Sequence, residues 1–212
     1  MTNDKLGHKA QSTGEGRITS NDMPPSTKKL SFINREQLKL KPEPIKKRTK
    51  AEESELIYNA FSKLAAVGRR LSVAESFTGG LISSFLITLP GASAFFHEGA
   101  VAYSDAAKIN RLSVKPETIK RHTAVSVHAA YEMALGLLSD PAADLVVATT
   151  GYSGPSAPSE DLIGQCCIAV GDRSRVDIYK YQFSGGRENI MRNGALEALT
   201  LLTELLDKKI KN

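Results

Sequence analysis

A chain of 212 residues with 41% hydrophobic content can bury the core of one ordinary domain and is too short for two comfortable ones. Its formal charge of +5 is unevenly placed: residues 1–50 hold 12 Lys and Arg against 5 Asp and Glu, a net of +7, and the rest holds 16 against 18. The basicity therefore belongs to the N-terminal segment, and a nucleic-acid-binding body with a basic, aromatic stripe is excluded.

In chain order, residues 1–51 read as a disordered basic tail. Apolar residues are sparse and aperiodic there, and Pro24, Pro25, Pro42 and Pro44 interrupt it. Such a tail attracts polyanions weakly and in a salt-sensitive way. Met1 to Ser20 has no apolar h-region, Asp4, Glu15 and Asp22 break the acid-poor pattern of a presequence, and no run approaches the roughly 18 apolar residues of a membrane span. The expectation is a cytoplasmic protein with no membrane partner.

The folded domain is expected over 52–212. Leu56, Ile57, Ala60, Phe61, Leu64 and Ala65 recur at helical spacing, and Gly68 closes that helix. A strand near 71–75, a helix over about 79–88, a turn at 89–93, a strand over 99–103 and a helix over 105–112 follow. Ser126 reads as the N-cap of a helix carrying Val127, Tyr131, Ala134 and Leu138 on one face. The continuous apolar run Leu145-Val146-Val147-Ala148 reads as a strand buried on both sides. Strands over 164–170 and 175–183 form a hairpin across Gly171-Asp172-Arg173-Ser174, and a last helix opens near Gly186. Strands alternating with helices, closed by a hairpin, define an α/β protein: a three-layer α/β/α sandwich on a mixed, mostly parallel sheet.

Two segments draw attention as chemistry. Ala74-Glu75-Ser76-Phe77-Thr78-Gly79-Gly80 joins a strand to a helix start, where hydroxyls and free backbone N–H groups gather around an anion or a reacting carbonyl. The same residues also suit a plain turn in which Ser76 or Thr78 caps the helix, and Glu75 suits a structural role there as well as it suits substrate. Thr149-Thr150-Gly151-Tyr152-Ser153-Gly154-Pro155 is a second such loop. With Tyr103-Ser104 it falls at a strand end, the edge where α/β sheets bind ligands. Cys166 and Cys167 are adjacent in a strand, so they point to opposite faces and read as core filler. His8, His97, His122 and His128 show no metal-ligand spacing.

With Pro90-Gly91-Ala92-Ser93-Ala94-Phe95-Phe96, Val101-Ala102-Tyr103-Ser104-Asp105-Ala106-Ala107-Lys108, Thr123-Ala124-Val125-Ser126 and Phe183-Ser184-Gly185-Gly186-Arg187 in register with those loops, the chain resembles the CinA C-terminal domain family, the nicotinamide mononucleotide (NMN) deamidases. The resemblance covers about 55–207. It implies hydrolysis of the NMN carboxamide to nicotinate mononucleotide and ammonia, with no cofactor and no metal, in a homo-oligomer with a small nucleotide as substrate. It places Ser76, Ser93, Tyr103, Lys108, Thr150 and Arg187 at the active site.

In that reading Ser76 is the nucleophile and Lys108 the base, as in Ser-Lys amidases. Tyr103 relays the proton and Ser93 shares the network. The N–H groups of Thr78, Gly79 and Gly80 receive the oxyanion, Thr150 and Gly151 hold ribose or phosphate, and Arg187 grips the phosphate. Two departures stand out: the family usually has Cys where this chain has Phe77, which would set a bulky ring beside the nucleophile, and the loop Ser156 to Ile163 differs from the family's longer Gly-rich one. Those departures are the support for an alternative, a nucleotide-binding regulatory module with weak or no turnover. Longer family members carry a further N-terminal domain that residues 1–50 are too few to supply.

Overall fold

Residues 38–40 and 48–210 are described in a computed structural model. Thr49 opens the body. Its hydroxyl accepts from the Glu52 N–H while the Glu52 carboxylate accepts from the Thr49 N–H at 2.8 Å, a reciprocal cap that starts α1 (Lys50–Val67). The helix ends at Gly68, whose positive φ of 62° turns the chain into β2 (Leu71–Glu75). Next come α2 (Leu81–Ile87), a 3-10 turn at Ala92–Ala94, β3 (Phe96–Val101), α3 (Asp105–Leu112), α4 (Pro116–His122) and α5 (Val127–Leu138). The chain then runs through β4 (Leu145–Gly151), a 3-10 turn at Glu160–Leu162, β5 (Gln165–Asp172), β6 (Val176–Gln182) and α6 (Arg187–Ile210).

With β1 (Leu38–Leu40), six strands form one sheet in the order β1-β6-β5-β4-β2-β3. β2 runs parallel to β3 and β4, β1 runs parallel to β6, and β5 is antiparallel to both its neighbours. The expected α/β sandwich on a mixed sheet is the fold found. α1, α2 and α6 cover one face, and α3, α4 and α5 belong to the other.

Strand parity assigns the two cores. Leu71, Val73, Leu145, Val147, Ile168 and Tyr181 face the α6 side, whereas Ala74, Val146, Ala148, Ala169 and Ile178 face α5. Cys166 and Cys167 part in the same way, one into each core, both as free thiols. Burial pushes the Cys166 thiol well above its ordinary range and Cys167 up to about 12, so both act as small apolar side chains.

Three boundaries differ from the sequence expectation. β3 begins at Phe96 rather than Gly99, because Leu71 pairs with Phe96 but Ser72 with Glu98, leaving His97 as a bulge that obscures any alternation. α4 goes unannounced by the sequence, since its seven residues carry one apolar side chain, Ile119; Pro116 at its first turn and the Lys115 N–H on Glu132 (2.9 Å) hold it instead. At the N-terminus the body starts before residue 52: Arg48 donates to Glu197 at 3.2 Å and to Thr200 at 3.1 Å, and Leu38–Leu40 lies in the sheet. The disorder expected of 1–37 and 41–47 lies outside the described residues. No helix among the described residues is long and apolar enough to cross a membrane.

In the α6-side core Gly194 has no room for a side chain, since a Cβ there would run into the Phe77 ring. Overpacking of this kind costs about 1–3 kcal/mol. Gly194→Ala is therefore expected to lower unfolding stability by about that amount in denaturant titration. Shortening the ring in the double variant with Phe77→Leu should recover part of the loss, because the two positions compete for one volume; strictly additive losses would contradict the contact.

Candidate active site

The site is built from the end of β2. Glu75 is fully buried, and its carboxylate accepts from the N–H groups of Gly80 (3.0 Å), Ile82 (3.0 Å) and Ser83 (2.9 Å) and from the Ser83 hydroxyl (2.7 Å). A strand-end carboxylate thus caps α2, a helix whose N-cap residue Gly80 has no side chain to do so. Neither Ser76 nor Thr78 caps it: Thr78 is buried with its hydroxyl 2.8 Å from that of Thr149. The role of Glu75 is structural.

Accounting for the remaining N–H groups of the turn isolates two of them. Ser76 donates to the Thr149 carbonyl (3.0 Å), Gly79 to that of Ser76 (3.3 Å) and Leu81 to that of Thr78 (3.2 Å). Gly79 and Gly80 take positive φ values of 64° and 99°, which makes the tight turn accessible to glycine. Their N–H groups are already engaged, so of the expected donors at Thr78, Gly79 and Gly80 the turn leaves Thr78, together with Phe77. The Ser76 hydroxyl, in a residue only 6% exposed, has no partner among the described residues.

Phe77 does not stand beside Ser76 in the site. It is buried in the α6-side core, stacked on Phe183 with ring centroids 6.5 Å apart. The turn sends consecutive side chains in different directions, and the sequence expectation of a ring in the site is corrected. The other departure, 156–163, is a largely exposed loop held by Gln182, whose amide donates to the Ile163 carbonyl at 2.7 Å.

β3 ends beside β2, with the Ala102 N–H on the Glu75 carbonyl at 2.8 Å. Ser104 caps α3 by accepting from the Ala107 N–H, and one turn into that helix Lys108 is buried to 2% exposure. Its Nζ donates to the Tyr103 carbonyl at 3.2 Å. Burial holds the Lys108 amine below the ordinary lysine range, and Asp105 opposes this only in part. The Tyr103 ring is exposed and its hydroxyl accepts from Arg187 Nη2 at 3.1 Å. Arg187, the first residue of α6, also donates through Nη1 to the Gly154 carbonyl, so one guanidinium spans from the β3–α3 connection to the loop after β4. Thr150 is buried at the end of β4 and donates its hydroxyl to the Ala124 carbonyl at 2.7 Å, with Gly151 closing the strand.

Ser76, Tyr103, Lys108, Thr150, Gly151 and Arg187 therefore gather at one pole of the sheet, the carboxyl ends of β2, β3 and β4. Ser93 does not join them. It lies exposed in the 3-10 turn before β3, and since Leu71 pairs with Phe96 that turn sits at the opposite pole. Three participants escaped the sequence reading, the Ala124 and Gly154 carbonyls and the Phe77 N–H. Backbone groups carry no residue signature, and a turn's free donors emerge only after its bonds are counted. Among the described residues no group of three His, Cys, Asp or Glu side chains is arranged to hold a metal.

A doubly covered α/β sheet with a buried amine, a strand-to-helix serine and an arginine at one pole has the form of a small-ligand site at strand carboxyl ends. The profile of the CinA C-terminal domain matches residues 53–206, and the chain belongs to that family. It is 36% identical over 164 residues to a CinA-like protein of Fusobacterium nucleatum, covering 76% of this chain and 40% of that protein. The chain thus spans two fifths of that curated relative's length. A crystal structure of a competence-damaged protein (CinA) superfamily protein from Klebsiella pneumoniae superposes with TM-score 0.70 at 33% identity, covering 74% of this chain and 98% of the other. The competence/damage inducible protein CihA of Agrobacterium tumefaciens gives TM-score 0.70 at 32% identity, over 76% and 99%.

Because Glu75 leaves four donors unsatisfied when removed, Glu75→Ala is expected to cost on the order of 3 kcal/mol in equilibrium unfolding. Glu75→Gln should fare little better, since one of its two acceptors becomes an amide aimed at N–H groups. Near-native stability of both variants would show that the carboxylate does not organise the turn.

Proposed function

We propose that this chain hydrolyses the carboxamide of NMN, releasing ammonia and nicotinate mononucleotide. The observation that carries the reading is the buried Lys108 amine, held against the Tyr103 carbonyl at the same sheet pole as the unpartnered Ser76 hydroxyl. Lowering an amine's pKa enlarges the free-base fraction that can accept a proton, which is the direction a general base needs.

Ser76 Oγ attacks the carboxamide carbon as its proton passes to Lys108 Nζ, directly or through Tyr103. The tetrahedral oxyanion forms where the Phe77 and Thr78 N–H groups have no other acceptor. Collapse expels ammonia, which takes the proton from Lys108. Water then attacks the acyl-serine, its proton going to Lys108 and on to the departing Ser76 oxygen, leaving the carboxylate. Arg187 supplies a planar fork for the phosphate at the start of α6, where the helix dipole also favours an anion. The regulatory-module alternative drew on Phe77 and the 156–163 loop; with Phe77 turned into the core, only that loop is left to support it.

Ammonia release from NMN by the purified chain tests the reading, and Ser76→Ala should abolish it. Turnover that survives in Ser76→Ala would remove the nucleophile from this account.

Lys108→Met separates chemistry from folding. It is expected to lower kcat by about 10²–10⁴-fold. The folded pKa of Lys108 lies below the unfolded value, so between the two the unfolded chain binds more protons and wild-type stability rises with pH in that window. At any pH below the unfolded value, neutral pH included, burying the amine costs stability, and the Met variant should melt at or above the wild-type temperature near pH 7. A variant with reduced melting temperature and wild-type kcat would reverse both assignments. Arg187→Ala should raise KM for NMN more than for its phosphate-free riboside, and equal effects on the two would rule out a phosphate contact.

A further inference from the structure

The loop after β4 holds a tyrosine that the mechanism does not use. Tyr152 is half-buried, with no partner for its hydroxyl and no aromatic or cationic side chain on its ring among the described residues. Its backbone, by contrast, is fully held. The Tyr152 N–H donates to the Gln165 carbonyl at 2.9 Å, and the Tyr152 carbonyl accepts from the Gly164 N–H at 2.7 Å. Gly164 has a φ of 91°, and a Cβ there would strike the Phe183 carbonyl, so a glycine bulge at the start of β5 stands opposite Tyr152.

Strand parity fixes where the ring goes. Gly151 pairs with Cys166, which faces the α6 side, so Tyr152 faces the α5 side, as Thr150 does two residues earlier. The Ser76 N–H on the Thr149 carbonyl carries the β2–β4 ladder one residue past Glu75. That sets Ser76 opposite Thr150 and on the same side, the side of α3 and Lys108. With a rise of about 3.3 Å per residue and about 4.8 Å between strands, Tyr152 stands about 8 Å from Ser76, Cα to Cα. That separation admits one six-membered ring, its exocyclic carboxamide carbon at Ser76 and the ring itself against the tyrosine.

The ring of NMN carries a positive charge, and the site around it already holds the Lys108 amine and the Arg187 guanidinium. Glu75 offers that charge nothing, because its oxygens are engaged with four donors of α2. A further carboxylate beside Lys108 would raise an amine that the site keeps low. An aromatic face attracts a cation through its quadrupole and brings no such charge.

We propose that the face of Tyr152 is the wall on which the pyridinium ring lies, and that it makes the site select cationic pyridinium carboxamides over uncharged ones. The inference rests on the NMN reading. The selection serves the chemistry, because the positive ring draws electrons from the carboxamide and makes a poor electrophile a better one. The charge persists from bound substrate to tetrahedral intermediate, so the contact stabilises both alike and acts on KM rather than kcat.

The probe pair is NMN and its reduced dihydropyridine form, which keeps carboxamide, ribose and phosphate and loses the charge. Dissociation constants are measured by calorimetry in the Ser76→Ala background, and KM and kcat for NMN with Ser76 intact. Tyr152→Leu should weaken NMN about tenfold in Kd and KM, leave kcat within about twofold, and move the reduced form by less than about twofold. Tyr152→Phe, which keeps the ring, should recover most of the loss. A merely structural role weakens both ligands together, so equal losses overturn the proposal, as does a Tyr152→Phe chain no better than Tyr152→Leu.

Ammonia release from NMN with an unchanged KM in Tyr152→Leu overturns the wall and leaves the amidase reading in place. Binding of NMN that Tyr152→Leu weakens selectively, with no ammonia released by the wild-type chain, overturns the amidase reading and supports the wall. A wild-type chain that does not bind NMN overturns both.

Discussion

The site depends on one buried carboxylate. Glu75 ends β2 out of contact with water, and its four donors all come from the first turn of α2. A charge in such a place survives only because every one of those bonds is made. The consequence is geometric: a seven-residue helix too short to be stable alone is locked at a fixed angle to the sheet. The turn between them can then keep Ser76 at the carboxyl-end pole of the sheet and send Phe77 into the core while leaving the Phe77 and Thr78 N–H groups uncommitted.

Around that turn, the period-two geometry of β4 braces the site from both sides. Thr149 faces α6 and meets the Thr78 hydroxyl; Thr150, one residue on, faces the other way and holds the Ala124 carbonyl. Two adjacent hydroxyls thus tie separate loops to one strand end. Arg187 closes the remaining gap, linking Tyr103 to the loop at Gly154. Because strand order puts β2 between β4 and β3, the carboxyl ends of three parallel strands bear on the same small volume.

Lys108 shows how such a site tunes an amine through burial. α3 carries it inward from a cap at Ser104, and its hydrogen bond to a neutral carbonyl offsets desolvation incompletely. The tuning therefore comes from burial, and burial comes from the packing of α3 against α5 around Leu112 and Ala134.

The sequence by itself determined the helices with strong periodicity or caps, α1, α3, α5 and α6, and the doubly buried strands β2 and β4. Their patterns are local and repeat within a turn or a pleat. It also identified both hydroxyl-rich loops and, through the resemblance, the side chains Ser76, Tyr103, Lys108, Thr150 and Arg187 that meet at one pole. Only the tertiary structure decided the rest. That Phe77 turns away from Ser76 follows from Gly194 and Phe183 lying where its ring goes, residues more than a hundred positions distant. That Ser93 sits at the far pole follows from the register of β3 on β2, which a bulge at His97 hides from any pattern. That Glu75 serves the fold rather than the substrate follows from counting donors, and donors on a backbone have no letter in the sequence.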